Sequence, residues 1–202
     1  MSKLIVSNIM SLDGYVEGPG GNMMVLPMDG FFDSYNLERL RTAGTLLLGA
    51  TTYTGLKGYW PQVAQDPTVS PAVAADPTVA EIHRETGTRN NQIAKIVISD
   101  SLTDDDTAPW TDTTTIVARA EAHSAVTALK EQAVDDILVF GSSILWNDLL
   151  TGGLVDELHL MVGSAAVGGG KPAFTGPVPS MKLLESRSEK NSENILLRYG
   201  LS

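Results

Sequence analysis

Residues 137–170 constrain the fold more than any other stretch of the chain. An apolar run, Ile137 to Phe140, stops at Gly141, and Ser142 and Ser143 follow. Ile144, Leu145, Leu149 and Leu150 then recur at helical spacing until Gly152-Gly153, after which a second apolar run extends from Leu158 to Val162. Two strands separated by a helix run parallel within one sheet, with the helix packed on a face. The turn between strand and helix has a second consequence. The first N–H groups of a helix have no partner inside it and the helix dipole is positive there, so Gly141–Ile144 reads as a seat for a phosphate.

The same alternation runs through the rest of the sequence. Ser2–Met10, Thr45–Leu48, Lys95–Ser99, Ile116–Ala118 and Asp136–Phe140 read as buried strands, and residues 28–43, 50–56, 78–87 and 121–133 as helices. Gly58-Tyr59-Trp60-Pro61 is expected to end the second helix and Asn90-Asn91 the third, with a surface excursion over 62–80. Lys182–Lys190 and Glu193–Leu201, joined at Asn191-Ser192, form a C-terminal hairpin. No internal repeat or heptad is evident. The expectation is one domain over residues 1–202, a three-layer α/β/α arrangement whose mixed, mostly parallel sheet carries an antiparallel hairpin at its end.

Several function classes drop out. No apolar segment approaches the ~20 residues needed to span a bilayer, and the N-terminus enters a strand at once without the features of a signal peptide, so the expected location is cytoplasmic. There is no cysteine, which excludes disulfides and thiolate metal sites. A formal net charge of −10 opposes general nucleic-acid binding. His83, His123 and His159 lack metal-ligand spacing, and His159 reads as a strand residue facing solvent; no metal is expected. The phosphate-loop, dinucleotide and nucleophile-elbow signatures are all missing.

What remains is a set of small and hydroxyl residues at the carboxyl ends of strands, where ligands bind in open α/β sheets. These are Gly49-Ala50-Thr51-Thr52, Ser99-Asp100-Ser101, Gly141-Ser142-Ser143 and the loop Ser164–Gly170. Lys57, Lys95, Arg119 and Lys171 are the cations to follow, either as surface charges or as phosphate partners. Asp13, after the first strand, either caps a turn or faces a cleft. Asp33, beside Phe31 and Phe32, is either an exposed helix residue or a carboxyl with a raised pKa that can donate a proton.

Taken in order, the motifs resemble the dihydrofolate reductase superfamily, and more closely the reductase domain of bacterial riboflavin biosynthesis. They are Ser11-Leu12-Asp13-Gly14-Tyr15, Leu48-Gly49-Ala50-Thr51-Thr52-Tyr53, Lys95-Ile96-Val97-Ile98-Ser99, Gly141-Ser142-Ser143-Ile144-Leu145, Gly153–Leu158 and Gly168–Phe174. The resemblance covers nearly the whole chain and implies a dihydrofolate reductase-like fold with NADPH across the strand ends. Gly49, Ala50, Thr51 and Thr52 would meet the cofactor at one helix start, Ser99 would lie near the adenosine phosphate, and Gly141, Ser142, Ser143 and Ile144 would hold the pyrophosphate. The loop bearing Ser11, Asp13 and Gly14 would cover the nicotinamide. Asp33, placed like the acid of folate reductases, and Asp13 are the candidate catalytic carboxylates. Hydride would pass to a heterocycle or a sugar imine of a small heterocyclic substrate, with the ribosylaminopyrimidine of riboflavin biosynthesis, 5-amino-6-(5-phosphoribosylamino)uracil, ahead of dihydrofolate; the family also implies a homodimer.

Departures are equally clear. Ala50 replaces the usual Arg, Ser142 the second Gly of its turn, and Ser164-Ala165-Ala166 the usual Pro-Val. The cysteine pair of the deaminase half of bifunctional riboflavin enzymes does not occur. The alternative is a non-catalytic descendant that binds a nucleotide or a protein partner.

Overall fold

A computed structural model describes residues 2–201. Eight strands form one sheet: β1 (Leu4–Met10), β3 (Ala43–Gly49), β4 (Ala94–Ile98), β5 (Thr114–Val117), β6 (Asp136–Phe140), β7 (Glu157–Val162), β9 (Met181–Ser188) and β10 (Ile195–Leu201). Their order is β5-β4-β3-β6-β1-β7-β10-β9. The pairings from β5 to β7 are parallel, and β10 runs antiparallel to both β7 and β9. The expected mixed sheet with its C-terminal hairpin is therefore present. A small second sheet, β2 (Tyr15–Glu17) against β8 (Lys171–Pro172), was not anticipated.

Neighbouring residues of the central strands feed opposite cores, as parallel strands covered on both faces require. Leu4 and Val6 pack with Trp146, Leu149 and Val126, from α6 (Ser143–Thr151) and α5 (Ala122–Gln132). Ile5 packs on the other face with Leu40 and Tyr53, from α1 (Gly30–Thr42) and α2 (Ala50–Gln65). Because β6 pairs with both β3 and β1, the turns after β3 and β6 lie side by side while α2 and α6 leave toward opposite faces. That divergence opens a crevice at the carboxyl ends of the strands. Among the described residues no helix is long and apolar enough to cross a membrane.

Four local expectations are corrected. Helix α2 continues through Pro61 to Gln65 because packing outweighs the hydrogen bond that proline forfeits. Val63 is fully buried, and Gly87 of α4 (Ala80–Gln92) lies so close that a Cβ there would stand 2.8 Å from the Ala64 nitrogen. Residues 62–80 are not a loose excursion. Two turns, Pro67–Val69 and Pro77–Val79, flank α3 (Pro71–Ala75), and Asp66 and Asp76 accept from the N–H and hydroxyl of Thr68 and Thr78. The two Asp-Pro-Thr-Val segments are thus a short repeat in sequence and in structure, where none was expected.

Asn90 and Asn91 stay within α4 because each side chain finds a partner from inside the helix or across from it. Asn90 Nδ2 donates to the Thr86 carbonyl at 2.9 Å, and Asn91 Oδ1 accepts from Trp110 Nε1 at 2.7 Å. His159 is completely buried rather than facing solvent. Its Nδ1 lies 2.8 Å from the Tyr35 hydroxyl and its Nε2 2.8 Å from Glu157, and Glu157 also pairs with Lys3 and Arg198. Burial pushes His159 down to about 4 and Tyr35 up to about 12. Burial opposes the charge on Glu157 as well, but hydrogen bonds from Lys3, His159 and Arg198 hold that carboxyl at about 2.

Candidate functional site

The crevice between the β3–α2 and β6–α6 turns is a cleft of about 460 Å³, within the range of small-molecule sites. Gly49, Ala50, Thr51 and Thr52 form one wall, and Ser142, Ser143, Ile144 and Leu145 the other. Each wall ends in the first turn of a helix, so amides without helical partners converge on the space from two directions. Ser143 is 6% exposed, and its hydroxyl has no hydrogen-bond partner. A buried orphan hydroxyl costs stability unless a ligand satisfies it.

The turns themselves are joined. Gly141 and Ser142 both adopt left-handed backbone, at φ 54° and 51°. That conformation aims the Ser142 hydroxyl across the crevice, where it accepts from the Gly49 N–H at 2.9 Å. In return the Ser142 N–H donates to Thr52 Oγ1 at 3.1 Å.

Glu17, Lys171, Arg119 and Asp148 stand at the mouth. Lys171 Nζ lies 3.6 Å from Glu17, and Asp148 pairs with His123 at 2.8 Å. Arg119 follows β5; its N–H donates to Asp100 at 2.9 Å, and its side chain is largely exposed. The cleft has no cation at Ala50 but counts Arg119 and Lys171 among its lining residues. Of the four cations followed from the sequence, Arg119 and Lys171 reach the cleft. Lys57 donates to the Asp106 carbonyl, and Lys95 is buried against Ile93 and Thr113. Glu17 and Asp148 had no local signal, since nothing in their own segments indicates what folds opposite them.

The remaining expected residues build loops beside the cleft rather than its lining. Ser11 donates to Asp13 at 2.6 Å and accepts from the Tyr15 N–H at 2.9 Å. Asp13 also accepts from the amides of Val167 and Gly168, at 3.1 and 2.8 Å. These bonds, led by that from Ser11, hold its carboxyl at about 2. A group ionised so completely at neutral pH has no proton to donate, so Asp13 is a clamp between two loops. Gly14 completes the turn at φ 87°. Further along, Gly170 meets the other loop so closely that a Cβ there would lie 2.0 Å from the Glu17 carbonyl oxygen. Ser99 accepts from the amides of Ser101 and Leu102 in a tight turn just past Ile98, which does line the cleft.

Asp33 is neither exposed nor part of the cleft lining. Its carboxylate bonds His83 Nε2 at 2.9 Å, His83 Nδ1 lies 3.1 Å from Ser70 Oγ, and Tyr59 donates to Ser70 at 2.7 Å. Ser70 is fully buried, so this chain of groups offers no nucleophile to solvent.

Comparison with known proteins agrees with the geometry. The family model of the RibD C-terminal domain matches residues 2–197. Among solved structures, a Shewanella sp. PV-4 protein ascribed to riboflavin biosynthesis superposes with a TM-score of 0.69 at 17% identity, over 100% of this chain and 99% of that one. The diaminohydroxyphosphoribosylaminopyrimidine deaminase/5-amino-6-(5-phosphoribosylamino)uracil reductase of Thermotoga maritima gives 0.65 at 15% identity; all of this chain is covered, but only 57% of that larger protein. A pyrimidine reductase-like protein of Corynebacterium diphtheriae gives 0.62 at 16%, over 100% and 92% of the two chains. At these identities the superpositions establish a shared fold. No curated protein sequence matches the chain.

Proposed function

The chain belongs to the RibD C-terminal domain family, and from that premise we propose an NADPH-dependent reductase acting on a small heterocycle, with 5-amino-6-(5-phosphoribosylamino)uracil as the first substrate to test. The observation that carries the proposal is the orphan Ser143 hydroxyl on a wall made of two helix N-termini. Such a wall suits the pyrophosphate of a dinucleotide, whose oxygens accept from backbone amides and a serine alike. The residues present therefore fit the cofactor.

When bound, NADPH would supply the hydride. The chain's own part is orientation and exclusion of water. The N-terminal amides of α2 and α6, with Ser143, would hold the pyrophosphate, and Arg119 would face the adenosine phosphate that distinguishes NADPH from NADH. The joined loops bearing Asp13 and Gly168 would wall off the nicotinamide end. We extend the proposal to a homodimer through the open edge of β9, where Leu183 and Leu184 are about half exposed.

A second reading, a nucleotide-binding protein without turnover, is favoured by the carboxylates: Asp13 holds no proton at neutral pH and Asp33 is committed to His83. One pair of measurements separates the two. NADPH should raise the melting temperature, because a ligand bound only by the folded state must stabilise it. NADPH oxidation should then follow addition of 5-amino-6-(5-phosphoribosylamino)uracil or dihydrofolate. Stabilisation without oxidation selects the second reading, and no stabilisation at millimolar NADPH or NADH overturns both.

A further inference from the structure

We infer that Ser142 is a positioning residue that assembles the anion seat before any ligand arrives; the role rests on the cofactor reading above. Ser142 is the only non-glycine residue with positive φ among those described, at φ 51° and ψ 49°. A side chain in that region is strained, and such strain persists only where surrounding contacts enforce it. Here the enforcing contacts are identifiable. The Ser142 hydroxyl accepts from the Gly49 N–H at 2.9 Å while its own N–H donates to Thr52 Oγ1 at 3.1 Å.

These reciprocal bonds join turns 90 and 93 residues apart in sequence. They fix the spacing between the first turn of α2 and the first turn of α6. Neither helix start alone surrounds a pyrophosphate; two at a fixed separation do. Glycine in place of Ser142 would remove the strain but also the hydroxyl, leaving the two turns to be ordered by the ligand at a cost to affinity. The amides that the bracket consumes, Gly49 and Ser142, precede the helical first turns, so those of Ala50, Thr51, Ser143 and Ile144 stay available for a ligand.

The test compares the unsubstituted protein with Ser142→Gly and Ser142→Ala. Without cofactor, amide hydrogen exchange at Gly49 should be slow in the unsubstituted protein and at least tenfold faster in both variants. The Kd for NADPH, followed by nucleotide fluorescence, should rise roughly threefold to tenfold in both, the factor carried by one net hydrogen bond. Ser142→Ala, which keeps the strain, should also melt lower than Ser142→Gly. Equal exchange at Gly49 in all three proteins overturns the bracket. An unchanged or lower Kd in Ser142→Gly, with exchange accelerated, overturns the positioning role, because the hydroxyl would then be neutral or in competition with the ligand. Failure of the unsubstituted protein to bind NADPH overturns the cofactor reading itself, and the exchange data still decide the bracket separately.

Discussion

Replacing Lys95 by methionine should stabilise this protein at neutral pH and destabilise it in alkali. Lys95 is 1% exposed, its ammonium donates to the Ile93 carbonyl at 2.7 Å and to Thr113 Oγ1 at 3.1 Å, and it lies 4.3 Å from the centre of the Trp110 ring. Among the described residues it has no carboxylate partner within salt-bridge distance. Burial pushes its pKa from 10.5 down to about 8. The unfolded chain therefore binds this proton more tightly than the folded one. Below pH 8 the whole penalty bears on the folded state, and it fades as pH rises from 8 to 10.5. That gap corresponds to about 3.4 kcal/mol at full burial. Methionine removes the charge but leaves the Ile93 carbonyl without its donor, at about 1–2 kcal/mol. Lys95→Met should thus be more stable by roughly 2 kcal/mol at pH 7 and less stable by about 1 kcal/mol near pH 10.5. Urea unfolding of both proteins at pH 7, 9 and 10.5 measures the difference, in which all other titrations cancel. A difference that stays flat with pH would show that Lys95 is not charged at a cost in the folded state.

Four other outcomes follow from the same geometry. Arg119→Ala should weaken NADPH binding about tenfold or more and leave NADH unchanged, because only NADPH carries the phosphate that a charge-assisted bond would reach; equal loss for both nucleotides in titrations contradicts that role. Stability should begin to fall near pH 6.5, since between 6.5 and about 4 the unfolded chain protonates His159 while burial keeps it neutral in the fold, and Glu157 loses its pairings between 4.5 and about 2. His159→Gln should flatten the upper part of that curve in urea titrations. Asp13→Asn should speed amide exchange at Val167 and Gly168, and unchanged protection there would show that the clamp is not what orders the loop. Sedimentation should find a dimer that Leu183→Glu with Leu184→Glu converts to a monomer; a native monomer would end the homodimer proposal.

The parallel strands of the large sheet were legible because each holds a short apolar run, and their parallel pairing was legible because helical spacing intervenes between them. The order of strands was not. Nothing local to Asp136–Phe140 says that it inserts between β3 and β1, yet this insertion brings Gly49 beside Ser142. The run of α2 past Pro61 was hidden because its cause is Gly87, in another helix. Residues whose role depends on a distant partner were hidden for the same reason. Asp13 meets Gly168 across 155 positions and Asp33 meets His83 across 50, so sequence gave the carboxylates but not what they hold. The turn and helix start at 141–144 were legible because their physics is local to the chain.

The weld between the two loops at the cleft mouth has a kinetic consequence. Leu12 donates to the Ala165 carbonyl, Ala173 to that of Gly14, and Asp13 gathers Val167 and Gly168. The entrance is thus a single plate rather than two independent gates, and the entropy of arranging it is spent when the chain folds. The ligand proposed above, entering past Glu17 and Lys171, would not wait for one loop to find the other. Its residence time is then governed by how firmly the plate as a whole is seated, so a change at Asp13 should be felt in the dissociation rate of a ligand that never touches it.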